Sequence, residues 1–308
     1  MSTWGTLRAG GRIREGIRIG NMTTYKLGGP ARWFCEPTSV EFLRDVVRVA
    51  IRSRIQILVL GRGSNLVVAD RGFDGLVLRL GGEFRNLALD RRTGSVTAGA
   101  AVALPRLARR TAREGLRGLE FYVGIPGSVG GAVTMNAGFF GAETADVLVS
   151  ASVMDMASAS VADRTAAELE LDYRSSNVSG SELVLGARFA VTPGSSDKAA
   201  ALMREAIRWR RSHQPGGTLN AGSVFRNPPG DAAGRIIDSL GMKGMSRGGA
   251  RVSFRHANFF VASRGTTSQD VYDLVHYVRR LVLEKTGIVL EPEIRFAGRF
   301  HPHGRRLE

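Results

Sequence analysis

The sequence predicts an α+β fold in two parts, and three features support this prediction. Short apolar runs of strand length alternate with segments whose apolar residues recur at helical spacing. Glycine makes up 39 of the 308 residues, and several glycines directly follow an apolar run, where a chain turns tightly or approaches a ligand. The turn-rich segment 192–197 interrupts the alternation and predicts a boundary between the two parts.

The N-terminal part contains both kinds of element. A helix with apolar residues at helical spacing begins at Ser39, and residues 55–60 follow as a buried strand that ends before Gly61. A second helix is predicted over residues 103–114, with proline in its first turn and glycine directly after it. Apolar runs predict further strands in four places, namely residues 76–80, 95–100, 147–156 and 182–191.

The C-terminal part begins with a helix capped by Ser196 and contains the longest predicted helix, residues 268–286. In the helix over residues 268–286 the apolar residues recur at helical spacing, so that they form one buried face. Thr267 and Asp270 have the spacing of a capping box, and Gly287 follows as a terminator.

The chain is strongly basic, with 43 Lys and Arg against 28 Asp and Glu and a formal net charge of +15. A basic surface attracts nucleic acid because binding releases counterions from the phosphates. Only four of these basic residues are lysines, however, and the arginines are scattered along the chain. We therefore expect a solvated basic surface and no nucleic-acid partner, with attraction of a small anionic ligand as the alternative.

Cys35 is the only cysteine, which excludes an intrachain disulfide and a four-cysteine zinc site. We therefore expect a reducing compartment, the cytoplasm. No apolar stretch approaches the ~18 residues that a membrane helix needs, and the N-terminal residues lack the apolar core of an export signal, so no membrane association is expected. No pair of histidines or carboxylates has the spacing of metal ligands, and we predict no metal site.

Two glycine-rich segments are candidates for binding a ligand. The first glycine segment, GRGSNLVVAD, covers residues 61–70 directly after a predicted strand, so its main-chain N–H groups could converge on an anion. Its third Rossmann glycine is missing, and residues 66–68 have the composition of a strand and not of a helix. An ordinary tight turn is the alternative.

The second glycine segment covers residues 121–141 and contains five glycines in its FYVGIPGSVGGAVTMNAGF stretch, with no charged side chain. Such a segment exposes main-chain donors without charge, which suits a ligand that carries its own negative charge and large apolar rings. Two such segments could enclose a dinucleotide. A packing corner is the alternative interpretation.

Seven motifs occur in the order found in a known enzyme family. They lie within residues 23–298 and read TTYKLGGPA, GRGSNLVVAD, GIPGSVGGAVTMNAG, DYRSS, AGSVFRNP, HANFFV and LEPEIRFAG. On these motifs the chain resembles the UDP-N-acetylenolpyruvoylglucosamine reductases, the FAD enzymes of peptidoglycan precursor synthesis. The short span between residues 136 and 173 leaves little room for the substrate-covering insertion of one branch, so the resemblance is to the shorter branch.

The resemblance implies an FAD-binding region of the vanillyl-alcohol-oxidase (PCMH) type in two subdomains, residues 20–192. A smaller α+β substrate-binding domain with a returning C-terminal segment would follow, residues 193–298. Residues 1–19 and 299–308 are expected to be tails. FAD would bind non-covalently, with loop amides on its diphosphate. By resemblance, the positions along FAD are Gly61, Gly63, Ser64, Asn65, Gly124, Gly127, Ser128, Gly130 and Gly131.

The resemblance also assigns three catalytic positions, namely Arg174 in DYRSS, Ser223 in AGSVFRNP and Glu293 in LEPEIRF. The family's reaction takes hydride from NADPH onto the flavin and delivers it to an enolpyruvyl double bond, where negative charge develops and a carbon is protonated. The forked, permanent cation of Arg174 suits that charge. Ser223 would donate the proton, in a dry, cation-rich pocket or with reprotonation through water, and Glu293 would orient the intermediate or help to move the proton.

Each catalytic candidate also has an ordinary structural interpretation. Arg174 could be a surface residue of a polar segment, and Ser223 beside Gly222 could be a turn residue. Glu293 could pair with Arg295 two positions along a strand face.

Residues near the motifs have weaker assignments. Arg226, Asn227 and Lys243 could contact the substrate's diphosphate or sugar, but capping or turn roles explain them equally well. His256 and Asn258 are expected to organise the end of a strand and not to carry acid–base chemistry.

Three positions depart from the motifs that are common in the family. Arg62 stands where the first glycine segment usually has glycine, Arg226 replaces a lysine, and Leu219 with Asn220 replaces a proline–serine pair. These departures change the side chains that are available for flavin or nucleotide contacts.

The resemblance therefore implies an NADPH-dependent FAD enzyme that reduces the enolpyruvyl ether of UDP-N-acetylglucosamine to the lactyl ether of UDP-N-acetylmuramate, and we expect it to be a monomer. Its partners would be the UDP-sugar and NADPH. The alternative is another FAD-dependent oxidase or dehydrogenase acting on an alcohol or sugar. That enzyme would turn over with oxygen without NADPH, and it has no reason to retain AGSVFRNP together with LEPEIRF. A nucleic-acid-binding module would be colourless, and the sequence offers it no reading helix or aromatic platform.

Overall fold

Residues 4–301 are the part of the chain that the computed structural model describes, and they contain helices and strands in alternation. The α-helices are α1 (Trp4–Ala9), α2 (Val40–Arg52), α3 (Leu104–Arg113), α4 (Val129–Thr134), α5 (Ser196–His213), α6 (Ala233–Ser239) and α7 (Ser268–Thr286). Short 3-10 helices lie at Ile19–Met22, Gly82–Arg85, Glu120–Gly124 and Thr144–Asp146.

The strands are mostly short. In chain order they are β1 (Arg14–Arg18), β2 (Pro30–Cys35), β3 (Ile57–Val59), β4 (Leu66–Val68), β5 (Phe73–Leu78), β6 (Leu87–Asp90), β7 (Ser95–Gly99), β8 (Leu116–Arg117), β9 (Gly138–Phe139), β10 (Ala142–Glu143), β11 (Leu148–Asp155), β12 (Ser160–Thr165), β13 (Glu182–Ala190), β14 (Thr192–Pro193), β15 (Ser246–Arg247), β16 (Ala250–Val252), β17 (Phe260–Ala262) and β18 (Arg295–Ala297).

Local signals in the sequence set the predicted helix ends. The side chain of Ser39 accepts a hydrogen bond from the Phe42 N–H at the start of α2, which satisfies one of the first free N–H groups of that helix. At α7, Thr267 and Asp270 form both bonds of the predicted capping box. Gly287 then ends the helix in the left-handed conformation, with φ 73°.

The strands form antiparallel and mixed sheets. The largest sheet has five strands in the order β12-β11-β13-β7-β6, and every pair in it is antiparallel. A four-stranded sheet has the order β1-β2-β5-β3, with β3 and β5 parallel. β15, β16 and β17 form an antiparallel sheet, and β4 pairs with β18 in parallel. This mixture of helices with antiparallel and parallel strands confirms the α+β class.

The chain forms two compact units, each with its own apolar core. The first unit comprises the described chain up to Arg14 together with Trp33–Arg62 and Gly75–Arg210. The second comprises Glu15–Arg32, Gly63–Asp74 and the described chain from Arg211 onward. The buried apolar residues divide in the same way, so each unit has a core made of its own segments.

These units differ from the predicted boundary between residues 192 and 193. Most of α5 belongs to the first unit, and residues 15–32 and 63–74 belong to the second. The reason is long-range pairing within the second unit, where β4 lies against β18 and the Tyr25 hydroxyl donates to the Phe260 carbonyl at 2.8 Å. A turn-rich segment marks a break in secondary structure and carries no information about which core the flanking segments join.

The predicted N-terminal tail, residues 1–19, is also different in the structure. It contains α1 and β1, and Leu7 and Ile13 are buried in the core of the first unit. The sequence gives no sign of their burial, because the two apolar residues are isolated among many Arg and Gly residues. Residues 1–3 and the last part of the predicted C-terminal tail, residues 302–308, lie outside the described residues. Among residues 4–301, no helix combines the length and the apolar character needed to cross a membrane.

Candidate active site

The two glycine segments meet at Ser128 within the first unit. A Cβ atom added to Gly61 would lie 2.8 Å from the Ser128 Oγ, and one added to Gly131 would lie 3.7 Å from the same atom. Gly61 and Gly131 are exposed, whereas Ser128 is buried. The Gly127 carbonyl accepts a hydrogen bond from the Leu104 N–H at 3.1 Å, which fixes this segment to the start of α3. The result is an exposed, uncharged main-chain surface around a small hydroxyl.

Three other predicted flavin positions are glycines because of packing. A Cβ atom on Gly63, whose φ is 62°, would lie 2.6 Å from the Cα of Thr23. A Cβ atom on Gly124 would overlap the ring of Phe139, and one on Gly130 would lie 3.0 Å from a neighbouring alanine side chain. Close packing against neighbouring residues therefore explains why these three positions lack side chains.

Asn65 connects the first glycine segment to the segment of Glu293 within the second unit. Its Nδ2 donates to the Glu293 carbonyl at 3.1 Å, and its own carbonyl accepts the Arg295 N–H at 3.0 Å. Ser64, directly before it, is half-buried. The side chain of Asn65 thus holds the main chain of a predicted catalytic residue.

Arg174 lies in a tight turn of the first unit. Asp172 and Ser175 exchange two main-chain hydrogen bonds across this turn, at 3.1 and 3.0 Å. Arg174 has φ 55°, its Nη2 donates to the Gly138 carbonyl at 3.3 Å, and its guanidinium carbon lies 5.2 Å from the centroid of the Tyr173 ring. The half-buried arginine is therefore held against the second glycine segment and does not extend freely from a surface loop.

Ser223 and Glu293 lie on two segments that run side by side in the second unit. The Glu293 N–H donates to the Val224 carbonyl at 2.7 Å, and the Arg226 N–H donates to the Glu291 carbonyl at 2.9 Å. Both Ser223 and Glu293 are half-buried. The structure thus brings two of the three predicted catalytic residues onto adjacent main-chain segments although they are far apart in sequence.

Asn258 fixes the main chain that follows Ser223. It is 3% exposed, its Oδ1 accepts the Phe225 N–H at 2.9 Å, and its Nδ2 donates to the Phe225 carbonyl at 2.8 Å. Its main-chain carbonyl accepts the Val224 N–H at 2.8 Å. The His256 Nδ1 in turn accepts the Asn258 N–H at 3.2 Å, which confirms the expectation that His256 and Asn258 organise the main chain before β17.

Two of the three residues considered for substrate contacts, Asn227 and Lys243, have partners within the second unit. The Asn227 Oδ1 accepts the N–H of Ala233, the first residue of α6, at 3.0 Å, which is a capping contact. The Lys243 ammonium forms an ion pair with Asp238 at 2.6 Å. Arg226 is half-buried next to Asn227.

Asn136, which the sequence motifs do not single out, contacts the turn that carries Arg174. Its side chain is fully buried, its Nδ2 donates to the Asp172 carbonyl at 3.0 Å, and its Oδ1 accepts the Ala145 N–H at 2.9 Å. The signal that could have indicated it is composition, because Asn136 is the one amide side chain in the second glycine segment.

Comparison with known proteins identifies the family. Residues 31–163 match the FAD binding domain, and residues 214–297 match the C-terminal domain of UDP-N-acetylenolpyruvoylglucosamine reductase. The chain is 42% identical to the UDP-N-acetylenolpyruvoylglucosamine reductase of Synechococcus sp. (strain WH7803) over 292 residues, which cover 94% of each chain. It is 40% identical to the same-named protein of Gloeobacter violaceus, over 94% of this chain and 97% of that one.

A solved structure agrees with these matches. The crystal structure of UDP-N-acetylenolpyruvylglucosamine reductase from Thermus caldophilus is 36% identical and superposes with a TM-score of 0.80, covering 93% of this chain and 100% of that one. The domain match over residues 31–163 confirms that the chain contains an FAD-binding domain, and the superposition confirms the predicted fold. The similarity extends over nearly the whole chain, and we conclude that the chain belongs to the family of UDP-N-acetylenolpyruvoylglucosamine reductases.

Proposed function

We propose that this chain reduces the enolpyruvyl ether of UDP-N-acetylglucosamine enolpyruvate to the lactyl ether of UDP-N-acetylmuramate, in the synthesis of peptidoglycan precursors. The observation that carries the proposal is the similarity to enzymes of that name over 94% of the chain. NADPH is the reductant and is oxidised to NADP⁺. The hydride and one proton add across the carbon–carbon double bond of the substrate, so that atoms and charge balance.

The residues around Ser128 fit FAD. Gly61 and Gly131 are exposed glycines next to the buried Ser128 hydroxyl, and at Gly131 the missing side chain leaves the main chain open. No charged side chain occurs in the second glycine segment. These residues would hold the cofactor, with the flanking positions Gly63, Ser64, Asn65, Gly124, Gly127 and Gly130 shaping the segments. When bound, FAD supplies a two-electron carrier between NADPH and the enolpyruvyl group.

Arg174 binds the carboxylate of the enolpyruvyl group and stabilises the negative charge that develops beside it. A guanidinium suits this role because it is permanently charged and can donate two parallel hydrogen bonds. The turn that carries Arg174 supports the proposal, because it holds the guanidinium against Gly138 of the second glycine segment.

Ser223 donates the proton to the substrate carbon, and Glu293 orients the substrate or assists in returning the proton to the serine. The pairing of their two main-chain segments supports this assignment, because it brings two residues that are far apart in sequence onto neighbouring segments. A serine hydroxyl is a weak acid, so the transfer requires a cation that stabilises the alkoxide or rapid reprotonation through water. Arg226, Asn227 and Lys243 are the proposed contacts to the diphosphate and sugar.

Measurement of the two half-reactions of Ser223→Ala tests this function. The variant should retain yellow bound flavin that NADPH bleaches at the normal rate, because Ser223 takes no part in that step. Recovery of the flavin absorbance on adding the enolpyruvyl substrate should be slower by about 1000-fold, within the range reported for loss of a proton-transfer group.

A serine substitution elsewhere in the second unit provides the control. The Ser239 hydroxyl donates to the Ile236 carbonyl on the exposed side of α6, so Ser239→Ala should behave as the unaltered protein. Normal recovery of the absorbance in Ser223→Ala would remove Ser223 from the mechanism. Rapid turnover with oxygen in the absence of NADPH would instead favour an oxidase.

The surroundings in which the enzyme works are part of the proposal. We propose a cytoplasmic monomer whose partners are the UDP-sugar and NADPH and which binds neither nucleic acid nor membranes. The single cysteine and the nucleotide character of both substrates support the compartment. Light scattering at several protein concentrations would test the monomer, and a larger mass at working concentration would contradict it.

A further inference from the structure

The turn that carries Arg174 is strained and therefore needs external support. Arg174 has φ 55°, a left-handed conformation that disfavours any side chain with a Cβ atom. Such a conformation persists only where the surroundings determine it. The two hydrogen bonds between Asp172 and Ser175 close the turn but do not fix its place in the unit.

Two side-chain bonds fix that place by tying the turn to the second glycine segment. The Asn136 Nδ2 donates to the Asp172 carbonyl at 3.0 Å, at one end of the turn. The Ser176 hydroxyl donates to the Thr134 carbonyl at 2.9 Å, at the other end. Between these bonds, Arg174 itself donates to the Gly138 carbonyl at 3.3 Å. Residues 134–138 therefore hold the turn through the side chain of Asn136 and the main-chain carbonyls of Thr134 and Gly138.

The chemistry of Asn136 is specific to this position. Its Oδ1 must accept, because it faces the Ala145 N–H at 2.9 Å, and its Nδ2 must donate, because it faces the Asp172 carbonyl. Aspartate could satisfy the first contact but not the second, and a hydrophobic residue could satisfy neither. Asn136 also has φ 40° and is fully buried, and asparagine tolerates this conformation better than most residues do.

We infer that Asn136 is a positioning residue for Arg174: its buried amide holds the turn in which the guanidinium is aimed at the enolpyruvyl carboxylate. This inference rests on the proposed function, since it assigns Asn136 a role in the step that Arg174 serves. Ser176 provides the second and weaker tie, because its side chain is only half-buried.

Asn136→Ala tests the inference through separate measurement of the two half-reactions. A misplacement of about 1 Å can cost about 100-fold in rate, so we expect the enolpyruvyl substrate to reoxidise the flavin about 10- to 100-fold more slowly. Bleaching by NADPH should remain within about twofold, because that step does not use Arg174. Asn177→Ala is the matched control, since this exposed asparagine beside the same turn contacts Glu168 and not residues 134–138.

A double-mutant cycle separates positioning from a general structural effect. If Asn136 acts through Arg174, adding Asn136→Ala to Arg174→Ala should change reoxidation by less than about twofold. Equal slowing in both backgrounds, or equal slowing of both half-reactions, would overturn the inference. If Asn136→Ala does not fold, Ser176→Ala takes its place in the same cycle. We expect Ser176→Ala to slow reoxidation by about threefold to tenfold, and this slowing should disappear in the Arg174→Ala background.

The outcomes also separate this inference from the proposed function. Absence of reoxidation by the enolpyruvyl substrate in the unaltered protein would overturn the proposed function. Normal reoxidation in Arg174→Ala would leave that reaction standing but would remove the role of Arg174 and, with it, the positioning role of Asn136. Slow reoxidation in Arg174→Ala, together with normal rates in Asn136→Ala and Ser176→Ala, would overturn the positioning role alone.

Discussion

Seven residues other than glycine have a positive φ within residues 4–301, and three of them, Asn136, Phe140 and Arg174, lie in or beside the candidate site. Left-handed backbone is costly for a residue with a Cβ atom, and it concentrates at ligand sites. Arg174 is the clearest case, because arginine has no side-chain acceptor that would ease this conformation. Contacts with neighbouring residues therefore fix the backbone conformation at Arg174, and with it the position of the guanidinium charge.

His256 is a residue whose protonation is coupled to folding. Burial lowers its pKa from the ordinary 6.5, and the charge of Lys243 lowers the pKa further; Asp238 opposes these effects, and His213 adds to them. The bond from the Asn258 N–H to the His256 Nδ1 also requires the ring to be unprotonated on that nitrogen. The folded state thus binds a proton at His256 less readily than the unfolded state does.

We predict that His256 makes the protein less stable in mild acid. Its contribution to the free energy of unfolding is complete above pH 6.5 and decreases as the pH falls below that value towards the lowered pKa, because the unfolded state takes up the proton first. His256→Asn keeps an acceptor for the Asn258 N–H and does not titrate. The decrease in Tm between pH 7 and pH 5 should therefore be smaller in His256→Asn than in the unaltered protein, whereas His301→Asn should show the full decrease. Equal decreases in all three proteins would contradict the prediction.

At the scale of elements, the glycine segments contain two kinds of glycine. Gly63 and Gly124 lack a side chain because the main chain of Thr23 and the ring of Phe139 occupy that space. Gly131 is exposed, and a Cβ atom there would meet only the Ser128 Oγ at 3.7 Å. Only the second kind leaves the main chain open to a ligand, so substitution at Gly131 can separate folding from flavin binding.

We predict that Gly131→Ala folds normally but binds FAD less tightly. Alanine is favoured over glycine inside a helix by about 1 kcal/mol, so the Tm of the apoprotein should be unchanged or higher. The added methyl group stands on the exposed surface around Ser128, and we expect the Kd for FAD to rise by about tenfold, equivalent to about 1.4 kcal/mol. Titration followed by flavin fluorescence measures this Kd.

Gly180→Ala is the matched control for that measurement. A Cβ atom on Gly180 would meet nothing within 4 Å, and this glycine lies in an exposed loop. The control should bind FAD with an unchanged Kd. Unaltered FAD binding by Gly131→Ala would show that the surface around Ser128 does not hold the cofactor.

At the scale of the whole molecule, the chain forms two apolar cores. The reactivity of the Cys35 thiol indicates whether the core of the first unit is closed. Cys35 is 1% exposed in the core of the first unit, and burial raises the pKa of its thiol to about 12, although Arg14 and Arg12 partly oppose this. A thiol reacts as the thiolate, so both its burial and its high pKa suppress its reaction with external reagents.

We predict that Cys35 reacts with a chromogenic disulfide reagent only when the first unit opens. At pH 8 the native protein should react more slowly than the denatured protein by at least about 1000-fold, because labelling requires an opening that exposes the core. Saturating FAD should slow labelling further, since the proposed flavin surface belongs to the same unit. Cys35→Ala gives the blank, and rapid labelling of the native protein would contradict the buried position of the thiol.

The local structure could largely be predicted from the sequence. The ends of α7, the start of α2 and the strand character of residues 66–68 follow from capping residues, glycine and apolar runs within a few positions of each other. The ordered motifs also identified the family, because side chains that serve one reaction recur at fixed places along the chain. Signals of this kind act between neighbouring residues, so the sequence displays them directly.

Tertiary structure decided which distant segments share a unit and what each site residue contacts. Residues 15–32 and 63–74 join the C-terminal core through β4, β18 and Tyr25, and the segments of Ser223 and Glu293 become neighbours through a main-chain bond. Asn136 acquired its position beside Arg174 in the same way. These pairings depend on burial and hydrogen bonding between residues far apart in sequence, and no local pattern encodes them.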